Sequence, residues 1–232
     1  MSQLFPKDLA NCRKCERLAE HREAVAKKEI MRRKAYREDS YWGKPVPGFG
    51  DFNAQVLLLG LAPGAHGSNR TGRMFTGDSS GDFLFSALYR AGFASQAESI
   101  NLDDGMILNN LWITAAARCV PPANKLLRNE LLNCQAWLEY DFKHLKNLKL
   151  ILALGATAHD SYLELLKSRG NKIIKNKYKF SHGKVHYFDN ALAMIDSYHV
   201  SFQNTNTGKL STEMFDELLN KTLSILNTKI EK

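Results

Sequence analysis

Two polar loops and four cysteines hold the residues of this chain whose types suit chemistry more than packing. The first loop, residues 60–78, reads Gly-Leu-Ala-Pro-Gly-Ala-His-Gly-Ser-Asn-Arg-Thr-Gly-Arg-Met-Phe-Thr-Gly-Asp. It holds five glycines, many side-chain donors, one phenyl ring and one carboxylate, Asp78. Such a composition lets backbone approach a ligand closely, which a packed core segment does not need. The second loop, residues 197–209, reads Ser-Tyr-His-Val-Ser-Phe-Gln-Asn-Thr-Asn-Thr-Gly-Lys and places His199 near its start. The first loop lacks the Gly-Lys-Ser/Thr ending of a phosphate-binding P-loop. It also lacks Gly-x-Gly-x-x-Gly at its start, so nucleotide cofactor binding is disfavoured.

The cysteines are Cys12 and Cys15, spaced C-x-x-C, and the separate Cys119 and Cys134. A C-x-x-C pair lets two thiolates reach one metal centre. Disulfides are disfavoured because nothing in the chain points to an oxidising compartment. Zinc takes four thiolates, and so does an iron–sulfur cluster, which accepts ligands gathered from separate loops. Spacing leaves both open. Cys134 also falls on the apolar stripe of a helix, where a buried core thiol is an alternative reading.

The elements that must position these groups follow from hydrophobic pattern. Apolar runs at residues 55–59, 111–117, 148–154 and 191–196 read as strands, each followed by polar loop or helical sequence. Helical periodicity covers residues 81–91, 126–145, 156–167 and a last stretch capped by Ser211 or Thr212. Residues 5–37 read as helical and carry the C-x-x-C pair, while residues 172–187 are basic and irregular, with a hairpin as one option. Continuous apolar strands alternating with helices predict a parallel sheet buried on both faces. Both polar loops then leave the carboxyl edge of that sheet, where ligands bind in open α/β folds.

Length and composition agree with one domain over residues 1–232, with residues 1–50 as an N-terminal helical extension packed on it. The formal charge of +8 favours a polyanionic partner. Part of the excess lies in Lys27, Lys28, Arg32, Arg33, Lys34 and Arg37, which suit a solvated helix face or a phosphate-tracking stripe. No apolar run is long enough to cross a membrane, and the first ten residues lack a signal-peptide pattern, so a cytoplasmic location is expected.

At the two loops the chain resembles a known family. Gly60-Leu61-Ala62-Pro63-Gly64-Ala65-His66-Gly67 through Phe75-Thr76-Gly77-Asp78, with Ser197-Tyr198-His199-Val200-Ser201, is similar to the two active-site motifs of family 5 (type B) uracil-DNA glycosylases. The C-x-x-C pair, the stretch Ala-Arg-Cys-Val-Pro-Pro-Ala-Asn-Lys at residues 117–125 and Cys134 match the same family, so the resemblance spans nearly the whole chain.

The resemblance implies a single-domain α/β/α sandwich with a four-stranded parallel sheet, and a [4Fe-4S] cluster on Cys12, Cys15, Cys119 and Cys134. The substrate would be double- or single-stranded DNA, the chemistry suits a monomer, and the expected cytoplasmic location would be nucleoid-associated in a prokaryotic type of cell. Uracil, and other deaminated or damaged bases, would be excised to leave an abasic site.

Under that resemblance Phe75 stacks on the flipped base, with an ordinary core aromatic as the alternative. Backbone of Gly60, Leu61, Ala62, Pro63 and Gly64, with His66, shapes the pocket. His199 donates to the departing base. Leu61 stands where other branches carry a carboxylate or amide, so water activation passes to Asp78, which is equally suited to cap the next helix. Asn124, in the Pro-Pro-Ala-Asn-Lys turn beside Cys119, is a second polar candidate, with a plain turn residue as the alternative; Ala115 stands where related families carry a uracil-reading Asn. Ser201, Phe202, Gln203 and Asn204 belong to the loop that enters the groove, with Phe202 or Gln203 as the wedge. Arg70, Arg73, Arg118, Lys125 and Lys209 are expected phosphate contacts. His159, His182 and His186 match no motif and read as structural. The competing classes are a non-catalytic metal-clamped nucleic-acid-binding module and an iron–sulfur electron carrier; neither employs the glycine loop and His199.

Overall fold

The computed structural model describes residues 8–30, 34–189 and 192–227. Six strands form one sheet: β1 (Phe49–Gly50), β2 (Val56–Gly60), β3 (Leu111–Ala115), β4 (Leu150–Leu154), β5 (Val185–Tyr187) and β6 (Ala193–Ser197), in the order β1-β3-β2-β4-β6-β5. The four central strands are parallel and buried along their whole length, as continuous apolar runs require. The expected four-stranded parallel sheet is therefore its centre, and two short antiparallel strands extend its edges. The irregular basic segment does end in a hairpin, formed by β5 with β6.

Register sorts the side chains into two cores with period two. Val56 and Leu58 share one core with Ile113, Leu152 and Ile195, covered by α3 (Ser79–Arg90) and α7 (Thr212–Asn227). Leu57 and Leu59 share the other with Trp112, Ile151 and Met194, covered by α4 (Arg128–His144) and α5 (Ala156–Ser168). The Ser211 hydroxyl accepts the Met214 N–H at 3.2 Å at the start of α7, as its sequence predicts.

The N-terminal helix is shorter than expected. α1 covers only Glu16–Ala26 and begins directly after Cys15. Residues 5–7 and 31–33 of the expected helix lie outside the described residues, as do Arg32 and Arg33 of the basic run and residue 191 of the expected last strand. Two further short helices, α2 (Ser68–Thr71) and α6 (Phe202–Asn206), sit inside the two polar loops. No helix of the described residues is long and apolar enough to cross a membrane.

Candidate active site

The glycine loop is shaped around two side chains. Phe75 has a left-handed backbone, φ 53°, which disfavours a non-glycine residue by about 1–2 kcal/mol. Three contacts impose it. The Phe75 N–H donates to Ser68 Oγ at 2.9 Å. A methyl group at Gly81 would lie 1.9 Å from the Phe75 carbonyl oxygen, and one at Gly60 would lie 2.7 Å from the Phe75 ring. Glycine at both places lets the ring lie directly over the end of β2.

Asp78 caps α3: Oδ1 accepts the N–H groups of Ser80 and Gly81, both at 3.1 Å. Its other oxygen turns toward the loop, where methyl groups at Gly64 and Gly67 would come within 2.8 Å and 1.9 Å of Oδ2. The two readings of Asp78 thus use different oxygens. Standing at a helix N-terminus, the carboxylate also gains from the helix dipole.

From the second loop, His199 reaches back over the sheet. Its Cβ lies 3.5 Å from the position of a methyl group at Gly155, the residue that follows β4, and its carbonyl accepts an N–H from Asn204 Nδ2 at 2.8 Å. The imidazole and the Phe75 ring face each other with centroids 6.2 Å apart and planes inclined by 35°. Burial pushes the His199 pKa down to about 4, so the ring is neutral at physiological pH and has one N–H to donate. Ser201 caps α6 and leaves Phe202 exposed on its first turn.

Other expected site residues are placed differently. His66 is held by its neighbours: Nδ1 lies 2.9 Å from the Tyr41 hydroxyl, and the ring stacks near Tyr36. Arg70 is half-buried and braces the loop, donating to the carbonyls of His66 and Gly77 and to Asp39. Arg73 is no surface cation. Buried, it forms an ion pair with Asp104 and reaches Thr76 and Ser99, because the loop folds it inward over Phe49. Arg118 is likewise interior, ion-paired with Asp141. These two have no reach to phosphate. Asn124 ends a 3-10 turn in which Ala123 and Asn124 both have positive φ; it and the following Lys125 are exposed, away from the pairing of Phe75 with His199.

All four cysteines line one pocket, formed by the start of α1, the end of β3 and α4, together with Arg22, Arg118, Asn133 and Trp137. Arg22 Nη1 donates to Cys119 Sγ at 3.1 Å, the Arg118 N–H to Cys134 Sγ at 3.2 Å and Asn133 Nδ2 to Cys15 Sγ at 3.5 Å. Burial raises the thiol pKa values of Cys15 and Cys119, and that of Cys134 to about 12. Around the same pocket Arg22 Nε, Arg118 Nε and Nη1, and Trp137 Nε1 are buried donors without an acceptor among the described residues. Buried donors left without an acceptor beside a pocket lined by four thiols suit a bound group rich in acceptors. Four thiols gathered at one pocket suit a thiolate-bound metal centre.

Residues 47–223 match the family model of the uracil DNA glycosylase superfamily. The chain belongs to that superfamily. It is 45% identical over 217 residues to a type-5 uracil-DNA glycosylase of Thermus thermophilus, covering 94% of each chain. A type-5 uracil-DNA glycosylase of Mycobacterium tuberculosis is 42% identical over 208 residues, which cover 89% of this chain and 75% of that one. One of Pyrobaculum aerophilum is 40% identical over 219 residues, covering 94% and 90%. In this superfamily member, sequence reasoning overlooked Arg22, Asp141 and Asp196, three charged residues buried in the interior. Asp196 was detectable as an acid at the end of an otherwise apolar strand.

Proposed function

We propose that this protein excises uracil, and other deaminated bases, from DNA by hydrolysing the N-glycosidic bond. The observation that carries the reading is the pairing of Phe75 and His199, one from each polar loop, at the carboxyl edge of the sheet. The type-5 uracil-DNA glycosylases to which the chain is similar support the choice of base and of DNA as substrate.

A base inside a duplex is out of reach, so it must be extruded and held by stacking and by hydrogen bonds to its edge. Phe75 supplies the stacking face, and its strained backbone fixes the ring before the base arrives. Backbone groups of residues 60–64 contact the base edge, because glycine and alanine leave them accessible. As the bond breaks, negative charge gathers on the base. A neutral imidazole at His199 donates to that charge and costs no deprotonation at pH 7. Its low pKa, caused by burial, is what keeps the ring in this form. Asp78 Oδ2, turned to the same loop, orients water or stabilises the cationic sugar, while Oδ1 keeps the helix capped. Phe202, exposed at the start of α6, fills the gap left by the base, and Lys209, Ser201, Gln203 and Asn204 meet the backbone around it.

Cys12, Cys15, Cys119 and Cys134 would hold a [4Fe-4S] cluster, and the unpartnered donors of Arg22, Arg118 and Trp137 near the pocket support a group that can accept hydrogen bonds. When bound it supplies a cross-link between the N-terminal segment and α4, since hydrolysis of the glycosidic bond moves no electrons. The protein acts as a monomer in the cytoplasm.

The test is incubation with a duplex carrying a single uracil, followed by cleavage at abasic sites. Uracil release is expected; no release at any protein concentration overturns the reading.

A further inference from the structure

Beside the second loop lies a buried array that the chemistry above does not use. Asp196, the next-to-last residue of β6 and three before His199, is fully buried, and its carboxylate is surrounded. His159 Nδ1 lies 2.8 Å from Oδ1, His186 Nε2 lies 2.9 Å from Oδ2, and the Ser181 N–H donates to Oδ2 at 3.1 Å. His159 Nε2 is 2.7 Å from the Tyr178 carbonyl, which only accepts, so that nitrogen carries a hydrogen. Nδ1, facing a carboxylate, carries the other. His159 is therefore an imidazolium paired with Asp196. Burial opposes its charge, but the hydrogen bond and charge of Asp196 outweigh burial and raise its pKa. Burial lowers the pKa of His186, which stays neutral. Every nitrogen turned to the carboxylate is thus occupied by a proton, and the array cross-links the protein.

What it cross-links is the segment 178–186, which it pins to the strand that delivers His199. The backbone repeats the attachment: the Gly183 N–H donates to the Asp196 carbonyl at 2.8 Å, and the Asp196 N–H to the Lys184 carbonyl at 3.0 Å. The Tyr198 N–H donates to His182 Nδ1 at 3.1 Å, and the two rings stack with centroids 4.9 Å apart. A ring nitrogen that accepts is unprotonated, so His182 is neutral, in line with the lowering of its pKa by burial.

The outer side of this fixed segment is basic. Lys179 and Lys184 are exposed on it, Lys221 donates to the Gly183 carbonyl at 2.7 Å, and Lys209 lies 4.9 Å from the centre of the Tyr198 ring. Lysine ion pairs among the described residues involve Lys28, Lys167 and Lys175, not these four. We propose that Lys179, Lys184, Lys209 and Lys221 form a shelf that holds DNA phosphates next to the His199 loop, kept in position by the buried Asp196 array. Charge complementarity commits the shelf to a polyanion. Its attachment to residues 196–198 places it on the same strand exit as the proposed base pocket. The inference rests on the reading of DNA as substrate.

Counterion release makes it measurable, because each phosphate contact contributes about 0.9 to the slope of log affinity against log salt. The experiment measures binding of a uracil-free duplex between about 50 and 200 mM salt. It compares the wild type, the double variant Lys179→Gln/Lys184→Gln and, as a control, Lys143→Gln/Lys146→Gln at and just after the C-terminal end of α4. The shelf variant should lower the slope by about two, and Lys184→Gln alone by about one. The control should leave it unchanged. A slope that stays at the wild-type value in the shelf variant, or that falls equally in the control, overturns the proposal. Wild-type protein that binds with this pattern yet releases no uracil would sink the glycosylase reading and leave the shelf standing. Excision without the slope change would sink the shelf alone.

Discussion

Asn69 donates a side-chain N–H to the backbone carbonyl of Arg22 at 3.3 Å, and this contact ties the glycine loop to the cysteine pocket. The guanidinium of the same Arg22 reaches Cys119 Sγ and the Cys12 carbonyl, both at 3.1 Å. Trp42 and Gly43 add to the tie, donating backbone N–H groups to the carbonyls of Arg70 and Asn69. The N-terminal segment is therefore a clamp on α2, the turn that carries Ser68 and so sets the backbone of Phe75.

From the clamp comes the first prediction. Arg22→Ala removes a buried cation from the sulfurs and should cost about 2–3 kcal/mol, a fall in Tm of several degrees. Anaerobically purified wild type should be brown with visible absorbance, and the variant should lose that colour faster in air. A colourless, zinc-loaded wild type would refute the cluster.

His199→Ala should slow single-turnover excision by about 10²–10³-fold, the usual effect of losing one donor to a developing anion. Duplex binding should be retained, since the imidazole serves the transition state. Equal losses in both would make it a binding residue.

The low pKa of His199 has a stability consequence with a definite sign. The unfolded chain takes up a proton on this residue near pH 6.5, whereas the folded protein does so only near pH 4. Stability from the neutral ring is complete above pH 6.5 and is lost as pH falls toward 4, with a slope of up to about 1.4 kcal/mol per pH unit. Urea titrations at pH 7 and pH 5 should show a larger loss for wild type than for His199→Gln. Parallel losses would place the titration elsewhere.

Asp78 has separable functions. Asparagine caps helices as well as aspartate, so Asp78→Asn should keep the Ser80 and Gly81 hydrogen bonds and the Tm while slowing excision about 10²-fold. Asp78→Ala should lose about 1 kcal/mol in addition. An unchanged rate in Asp78→Asn would leave the residue as a cap only.

What could be read in the sequence was whatever depends on near neighbours. Leu57, Leu58 and Leu59 declared a buried strand, and the polar loops after the strands at residues 56–60 and 193–197 declared one shared edge, which is why Phe75 and His199 were expected together. What depends on distant partners could not be read. Arg73 looks like a surface cation until Asp104, 31 residues away, appears beside it. Asp196 gains meaning only from His159, 37 positions earlier. Arg22 sits in a charged helix of low apolar content and gives no sign of burial, because the sulfurs it reaches come from another part of the chain.

The pocket's ligands also set an order of assembly. Cys12 and Cys15 are made first, and Cys134 stands 119 positions after Cys15. By the time the last thiol leaves the ribosome, β2, the glycine loop and β3 already exist as chain, with their clamp still open. A group held by all four thiols would therefore be completed only after Cys134 is made, and the clamp on the glycine loop would close later than the loop itself is made.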